Sequence, residues 1–143
     1  MTQAIAAFGT LLQMGNGASP EVFVNVAEVT EIGGPNLSLD TADATAHESP
    51  GRWEEVVPTI LRSGEITLAL NYVPAGATHG YSTGLLRDMV ARIKRNYKLV
   101  FPNIGATTWS FAAYVVKFST KEPVADKLGA DVSLKITGQP SLA

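Results

Sequence analysis

The sequence predicts a mainly β fold, a β-sandwich or rolled barrel with one flanking α-helix and a long inter-strand loop. Three observations predict it. Short runs of β-branched and aromatic residues are punctuated by eight prolines and thirteen glycines, the spacing of strands and turns. Two segments alternate strictly between apolar and polar residues, and only one segment carries the 3.6-residue period of an amphipathic helix. At 143 residues the chain is expected to form one domain over 1–143, large enough to bury roughly two thirds of its unfolded surface.

Thr10 to Met14 and Glu21 to Ile32 read as the first strands. They are joined by Gly15-Asn16-Gly17-Ala18-Ser19-Pro20, residues that supply positive φ and fixed turns. Val22, Val24 and Val26 share one parity that Glu28, Thr30 and Ile32 continue, so a bulge is expected near Ala27. Gly33-Gly34-Pro35-Asn36 ends that strand, and Leu37 to Thr45 forms a third. The stretch 46–63 then reads as a long irregular loop carrying Trp53, Val56, Val57, Ile60 and Leu61. Loops of this length are uncommon in compact domains, and these apolar groups need a cover.

After the loop, Ile66, Leu68, Leu70 and Tyr72 point one way and Glu65, Thr67, Ala69 and Asn71 the other. The last strand repeats the pattern, with Val132, Leu134 and Ile136 inward and Asp131, Ser133, Lys135 and Thr137 outward. Tyr97 to Phe101 and Thr108 to Phe118 are apolar on both faces, which predicts cover on both sides. The helix is placed at 83–95, because Leu85, Leu86, Met89, Val90 and Ile93 fall within an arc of about 140° at helical spacing. Ser82 or Thr83 is expected to cap it, Asp88 to pair with Arg92, and Asn96 to end it.

The net charge of −2 is unevenly divided. Arg87, Arg92, Lys94, Arg95 and Lys98 against Asp88 leave +4 on the helical segment and −6 elsewhere. A basic patch is the footprint of nucleic-acid binding, but on one helix it also reads as a solvated face near the helix C-terminus. The absence of cysteine removes thiol nucleophiles and cysteine-ligated zinc. No run approaches the roughly 18 apolar residues of a membrane span, and the start lacks a basic leader, so a soluble, unexported protein with no membrane partner is expected.

Nothing in the sequence argues for catalysis, a metal or a cofactor. His47 and Glu48, with Glu54 and Glu55 nearby, reproduce no ligand spacing. His79 lies in a turn-rich segment and reads as an exposed loop histidine. No Gly-x-Ser-x-Gly elbow is present, and the glycine pairs lack the strand–loop–helix order that cradles phosphate. Trp53 has two readings, an anchor on a neighbouring subunit or a plug in the chain's own core.

The order Gly9-Thr10-Leu11-Leu12-Gln13, then Phe23 to Thr30 and Gly34-Pro35-Asn36-Leu37-Ser38, resembles the opening of phage major tail tube proteins of the long, non-contractile, siphovirus type. Asp43 to Glu55 followed by Gly64 to Leu68, and the close from Val132 to Pro140, are similar to the same family. Tube-forming proteins of gene transfer agents and secretion systems share the likeness. The resemblance implies a structural protein of the virion, assembled in the host cytoplasm into six-membered rings that stack into a hollow conduit for DNA ejection. It implies a tape measure protein and tail terminator and tip proteins as partners, with DNA passing through unbound.

On that reading the contacts between subunits fall to the 1–8 arm and to the 46–63 loop, through His47, Glu48, Ser49, Pro50, Arg52, Trp53, Val56 and Val57. An acidic bore would let DNA slide without counterion-releasing contacts, so Glu65, Thr67, Asp131 and Ser133 are candidates to face the lumen, with the basic helix outward. Lys135 on the same face opposes this. The alternative is a β-sandwich binding module, such as a virion decoration or adhesin-like domain.

Overall fold

A computed structural model describes residues 2–143. Its strands are β1 (Leu11–Gly15), β2 (Phe23–Asn25), β3 (Val29–Gly33), β4 (Ser38–Asp43), β5 (Val56–Arg62), β6 (Glu65–Asn71), β7 (Arg95–Val100), β8 (Thr108–Lys121) and β9 (Gly129–Leu142), with one helix, α1 (Leu85–Val90). Seven strands form an antiparallel sheet in the order β2-β1-β7-β8-β9-β6-β3, and β4 and β5 pair separately.

The alternation read from the sequence sets the core. Ile66 lies opposite Leu134, Leu68 opposite Val132 and Leu70 opposite Ala130. On the other side of β9, Ala113 faces Ile136 and Val115 faces Leu134. All of these are buried, with Leu12, Met14, Val26, Leu85, Tyr97, Leu99 and Phe111 completing the cluster. Each Val, Leu, Ile, Met or Phe among them contributes roughly 1.5–3 kcal/mol relative to exposure.

The sheet must roll to enclose that core. The Val26 N–H donates to the Leu12 carbonyl of β1, and the Asn71 N–H of β6 donates to Glu28. Laid flat, β1 and β6 would stand about 19 Å apart, whereas two residues of chain reach at most about 7 Å. The sheet therefore curls, without closing into a barrel: β2 and β3 remain its edges. The expected bulge near Ala27 is this switch point, where Glu28 adopts φ 60°. The single strand expected over Glu21–Ile32 is thus two strands, one at each edge.

The helix is much shorter than the expected 83–95. Gly84 precedes it without a side-chain cap, and any Cβ there would lie 2.4–2.5 Å from the backbone of Gly80, His79 and Thr78. Thr83 instead donates its hydroxyl to Ala77, and Arg92 at φ 58° turns the chain into β7. Asp88 does not pair with Arg92. It is buried and accepts two bonds from Arg95, Nε to Oδ2 at 2.5 Å and Nη2 to Oδ1 at 2.7 Å. Arg95 Nη1 also reaches the Gly15 carbonyl at 2.6 Å, tying helix, β7 and β1 together. This bond to Asp88 holds the guanidinium pKa above its ordinary value. Burial, aided by the Asp88 charge, likewise pushes the Tyr97 phenol up.

His79 is a further correction to the sequence reading, being buried rather than exposed. Nδ1 accepts the Val73 N–H at 3.1 Å, so Nε2 carries the proton and donates to the Ala27 carbonyl at 2.6 Å. The ring satisfies two backbone groups that turn geometry alone leaves unpaired, and it clamps the β2–β3 switch onto the segment leading to α1.

Among the described residues, the two-sided cover expected for β7 and β8 is incomplete. Phe111, Ala113 and Val115 face the core, whereas Tyr114 and Val116 on the other face of β8 are exposed. Of the expected 1–8 arm, Met1 lies outside the described residues, and residues 2–8 form an exposed segment without regular structure.

Candidate functional site

The stretch 46–63 is not the irregular loop that the sequence suggests. Val56, Val57, Thr59 and Ile60 are β-branched and form β5, which pairs antiparallel with β4 from Ser38↔Arg62 to Asp43↔Val56, with a register shift between Leu39 and Thr41. Pro58 obscured this strand in the sequence. It is tolerated because, among the described residues, β5 has β4 as its sole partner, and proline is confined to such edge positions. The result is a two-stranded arm over residues 38–62.

Its root is fixed by Gly64, at φ 73°, where a Cβ would come within 2.1 Å of the Asn36 carbonyl. The Gly64 carbonyl in turn accepts the Ile136 N–H of β9. Along the arm, Arg62 Nε pairs with Asp40 Oδ2 at 2.7 Å, and Thr59 Oγ1 donates to the Asp40 carbonyl. The tip is internally organised. Ser49 Oγ donates to Glu55 Oε2 at 2.7 Å and accepts the Ala46 N–H, while the Glu55 N–H donates to Thr45 Oγ1. Pro50–Arg52 makes one 3₁₀ turn. Hydrogen bonds from Thr45, side chain first and then backbone, hold the Asp43 carboxyl below its ordinary range.

Neither face of this arm is covered. Every residue of β5 is exposed, and of β4 only Asp40 is even half-buried. Trp53 is 76% exposed and Leu61 81%, with Leu37, Leu39, Val56, Val57 and Ile60 about half exposed. An isolated two-stranded hairpin is marginal in water, and a contiguous apolar surface of this kind marks an interaction site. Trp53 is therefore no plug in its own core. Of the residues singled out from the sequence, His47, Glu48, Pro50, Arg52 and Trp53 lie exposed on the tip, Ser49 is turned into the tip's own hydrogen bonds, and Val56 and Val57 lie on β5. Leu37 and Leu39, the latter paired with Leu61, are exposed as well; the sequence reading placed both in a strand without singling them out.

A second apolar surface lies at the β3 edge. Ile5 and Phe8 of the N-terminal segment, with Val29, Ile32, Leu99 and Phe101, line a groove of about 930 Å³.

The fold also brings Glu65, Thr67, Asp131 and Ser133 together. They lie on the outward face of β6 and β9, with Thr67 opposite Ser133 and Asp131 opposite Ala69. Their surroundings are not acidic. Glu65 lies opposite Lys135, Lys117 is paired in register with Ser133, and Lys121 Nζ contacts Asp131 Oδ2 at 2.7 Å. The basic segment is divided as well: Arg95 is spent on Asp88, Lys98 sits over the Phe23 ring, and Arg87, Arg92 and Lys94 remain exposed. Among the described residues no group of three or more metal-ligating side chains converges.

A model of the family described as the lambda phage tail tube protein matches residues 8–143. No curated protein matches the sequence. Among solved structures, a chain from the virion of a native gene transfer agent particle superposes with a TM-score of 0.75 at 14% identity, over 98% of this chain and 99% of that one. A chain of the antifeeding prophage baseplate, reconstructed with six-fold symmetry, gives 0.72 at 14% identity over 100% and 97%. One from the sheath/tube terminator of an extracellular contractile injection system gives 0.72 at 15% identity over 100% and 99%. At these identities the likeness is one of fold.

Proposed function

The chain belongs to the family of the lambda phage tail tube protein, a structural component of the virion tail, and we propose that its copies close into six-membered rings that stack into a hollow tube conducting DNA during ejection from a long non-contractile tail. The observation that carries this reading is the arm. A hairpin with apolar residues on uncovered faces acquires a stable setting only against another molecule, and identical copies supply one at every position of a polymer. The open edges β2 and β3 support it too, since unpaired backbone groups at a sheet edge are satisfied by a neighbouring strand. The six-fold symmetry of the antifeeding prophage baseplate, which contains a chain of this fold, supports the number six.

In this assembly His47, Glu48, Pro50, Arg52, Trp53, Val56 and Val57 contact neighbouring subunits, as do residues 2–8. Glu65, Thr67, Asp131 and Ser133 face the bore. Interspersed Lys117, Lys121 and Lys135 make that wall mixed in sign rather than acidic, so that phosphates meet alternating attraction and repulsion. A tape measure protein fills the bore before ejection, and terminator and tip proteins end the tube.

Electron microscopy of the purified chain at rising concentration tests the proposal. Hollow filaments of uniform width, or six-membered rings, are the expected result. A protein that remains monomeric at millimolar concentration is a binding module instead.

A further inference from the structure

The proposed assembly leaves open which surface of the neighbour receives the arm. Charge offers an answer. At the tip, Asp43, Glu48, Glu54 and Glu55 against Arg52 leave −3. At the α1 corner, Arg87, Arg92 and Lys94 leave +3, since Asp88 and Arg95 cancel each other. Among the described residues none of the three corner cations forms an ion pair, and neither Glu48 nor Glu54 has one. Two opposite, unpaired clusters of equal size thus stand on one chain without meeting.

Their apolar parts match as well. Arg87 and Val90 of α1 and Ala91, which caps its C-terminus, share one face at helical spacing, and all three are exposed, Val90 by 52%. Tyr81 beside the helix is 65% exposed. The tip offers Trp53, at 76% the largest exposed aromatic surface of the chain's tryptophans, and an indole face suits both an aliphatic neighbour and an arginine guanidinium. The Ser49–Glu55 and Thr45–Glu55 bonds hold the tip in one shape before contact, which lowers the entropy lost on docking.

We infer that the arm tip of one copy docks on the α1 corner of another, Glu48 and Glu54 pairing with Arg87, Arg92 and Lys94 while Trp53 covers Val90. This deepens the proposed function and rests on it. The basic patch, otherwise a footprint of nucleic-acid binding, is thereby occupied by protein.

A charge swap tests the inference, with critical concentration for polymerisation read by sedimentation and electron microscopy. Glu48→Lys with Glu54→Lys, and separately Arg87→Glu with Arg92→Glu, should each raise the critical concentration about tenfold or more, because like charges then face one another at the contact. Combining all four should restore it to within about threefold of the natural chain. Arg87→Gln with Arg92→Gln guards against misfolding; it should polymerise less well and lose most of the natural chain's sensitivity to added salt. If the natural chain polymerises and either reversed pair does so at its critical concentration, or the combined variant is no better than the worse pair, the contact is wrong while the tube stands. A natural chain that never polymerises overturns both.

Discussion

Replacing Leu39–Leu61 with Asn-Gly, so that Ser38 and Arg62 are joined by a tight turn, is expected to leave a folded protein that no longer polymerises. No residue of the buried core lies between Ser38 and Arg62, and shortening a connection costs little closure entropy. Stability should therefore change by less than about 1 kcal/mol, below the typical cost of a substitution in the core. Assembly should fall below detection, because the variant lacks Trp53, Val56, Val57, Ile60 and Leu61 together. Thermal unfolding and electron microscopy on the same preparation read both outcomes. A variant that fails to fold would show the arm to be part of its own domain, and one that still builds tubes would move the contact elsewhere.

Asp88→Ala has the opposite signature. It strands the Arg95 guanidinium, whose side chain is only 14% exposed, and it removes both bonds that align that group with the Gly15 carbonyl. Losing one partner of a buried pair costs about 3–5 kcal/mol, and the lower end applies to a partly solvated arginine. The expected loss of about 3 kcal/mol lowers the melting temperature by roughly 10 °C for a chain of this size. Tubes should still form below that temperature, since Asp88 is buried and touches no exposed surface. A melting temperature within about 2 °C of the natural chain would show that the pair contributes nothing net.

The strands around the core were legible because their chemistry is local. Ile66-Leu68-Leu70 and Val132-Leu134-Ile136 alternate without interruption, and the register pairs them face to face. The switch near Ala27 was legible as a change from apolar to polar residues along one parity, although the division of its strand between two edges depends on the roll of the whole sheet. Where the reading failed, a distant partner decided the outcome. His79 is buried through backbone groups of Val73 and Ala27, the second of them more than fifty residues away in sequence. The helix pattern over 83–95 is genuine, but Arg95 is drawn to Gly15 and Asp88 and begins a strand instead. In the arm, Pro58 and a one-residue shift opposite Leu39–Thr41 broke the alternation that would have announced β5. The exposed apolar residues of the arm were nevertheless recognisable, since apolar groups among charges need a cover whether they sit on a loop or a strand.

Amide hydrogen exchange across residues 38–62, compared between dilute monomer and polymer, reads most directly whether sister copies supply that cover. In the monomer these amides should exchange within seconds to minutes while β6, β8 and β9 stay protected, and in the polymer they should slow by at least about a hundredfold. Amides of the arm that are as protected in the monomer as those of β9, or as fast in the polymer as in the monomer, would contradict the account.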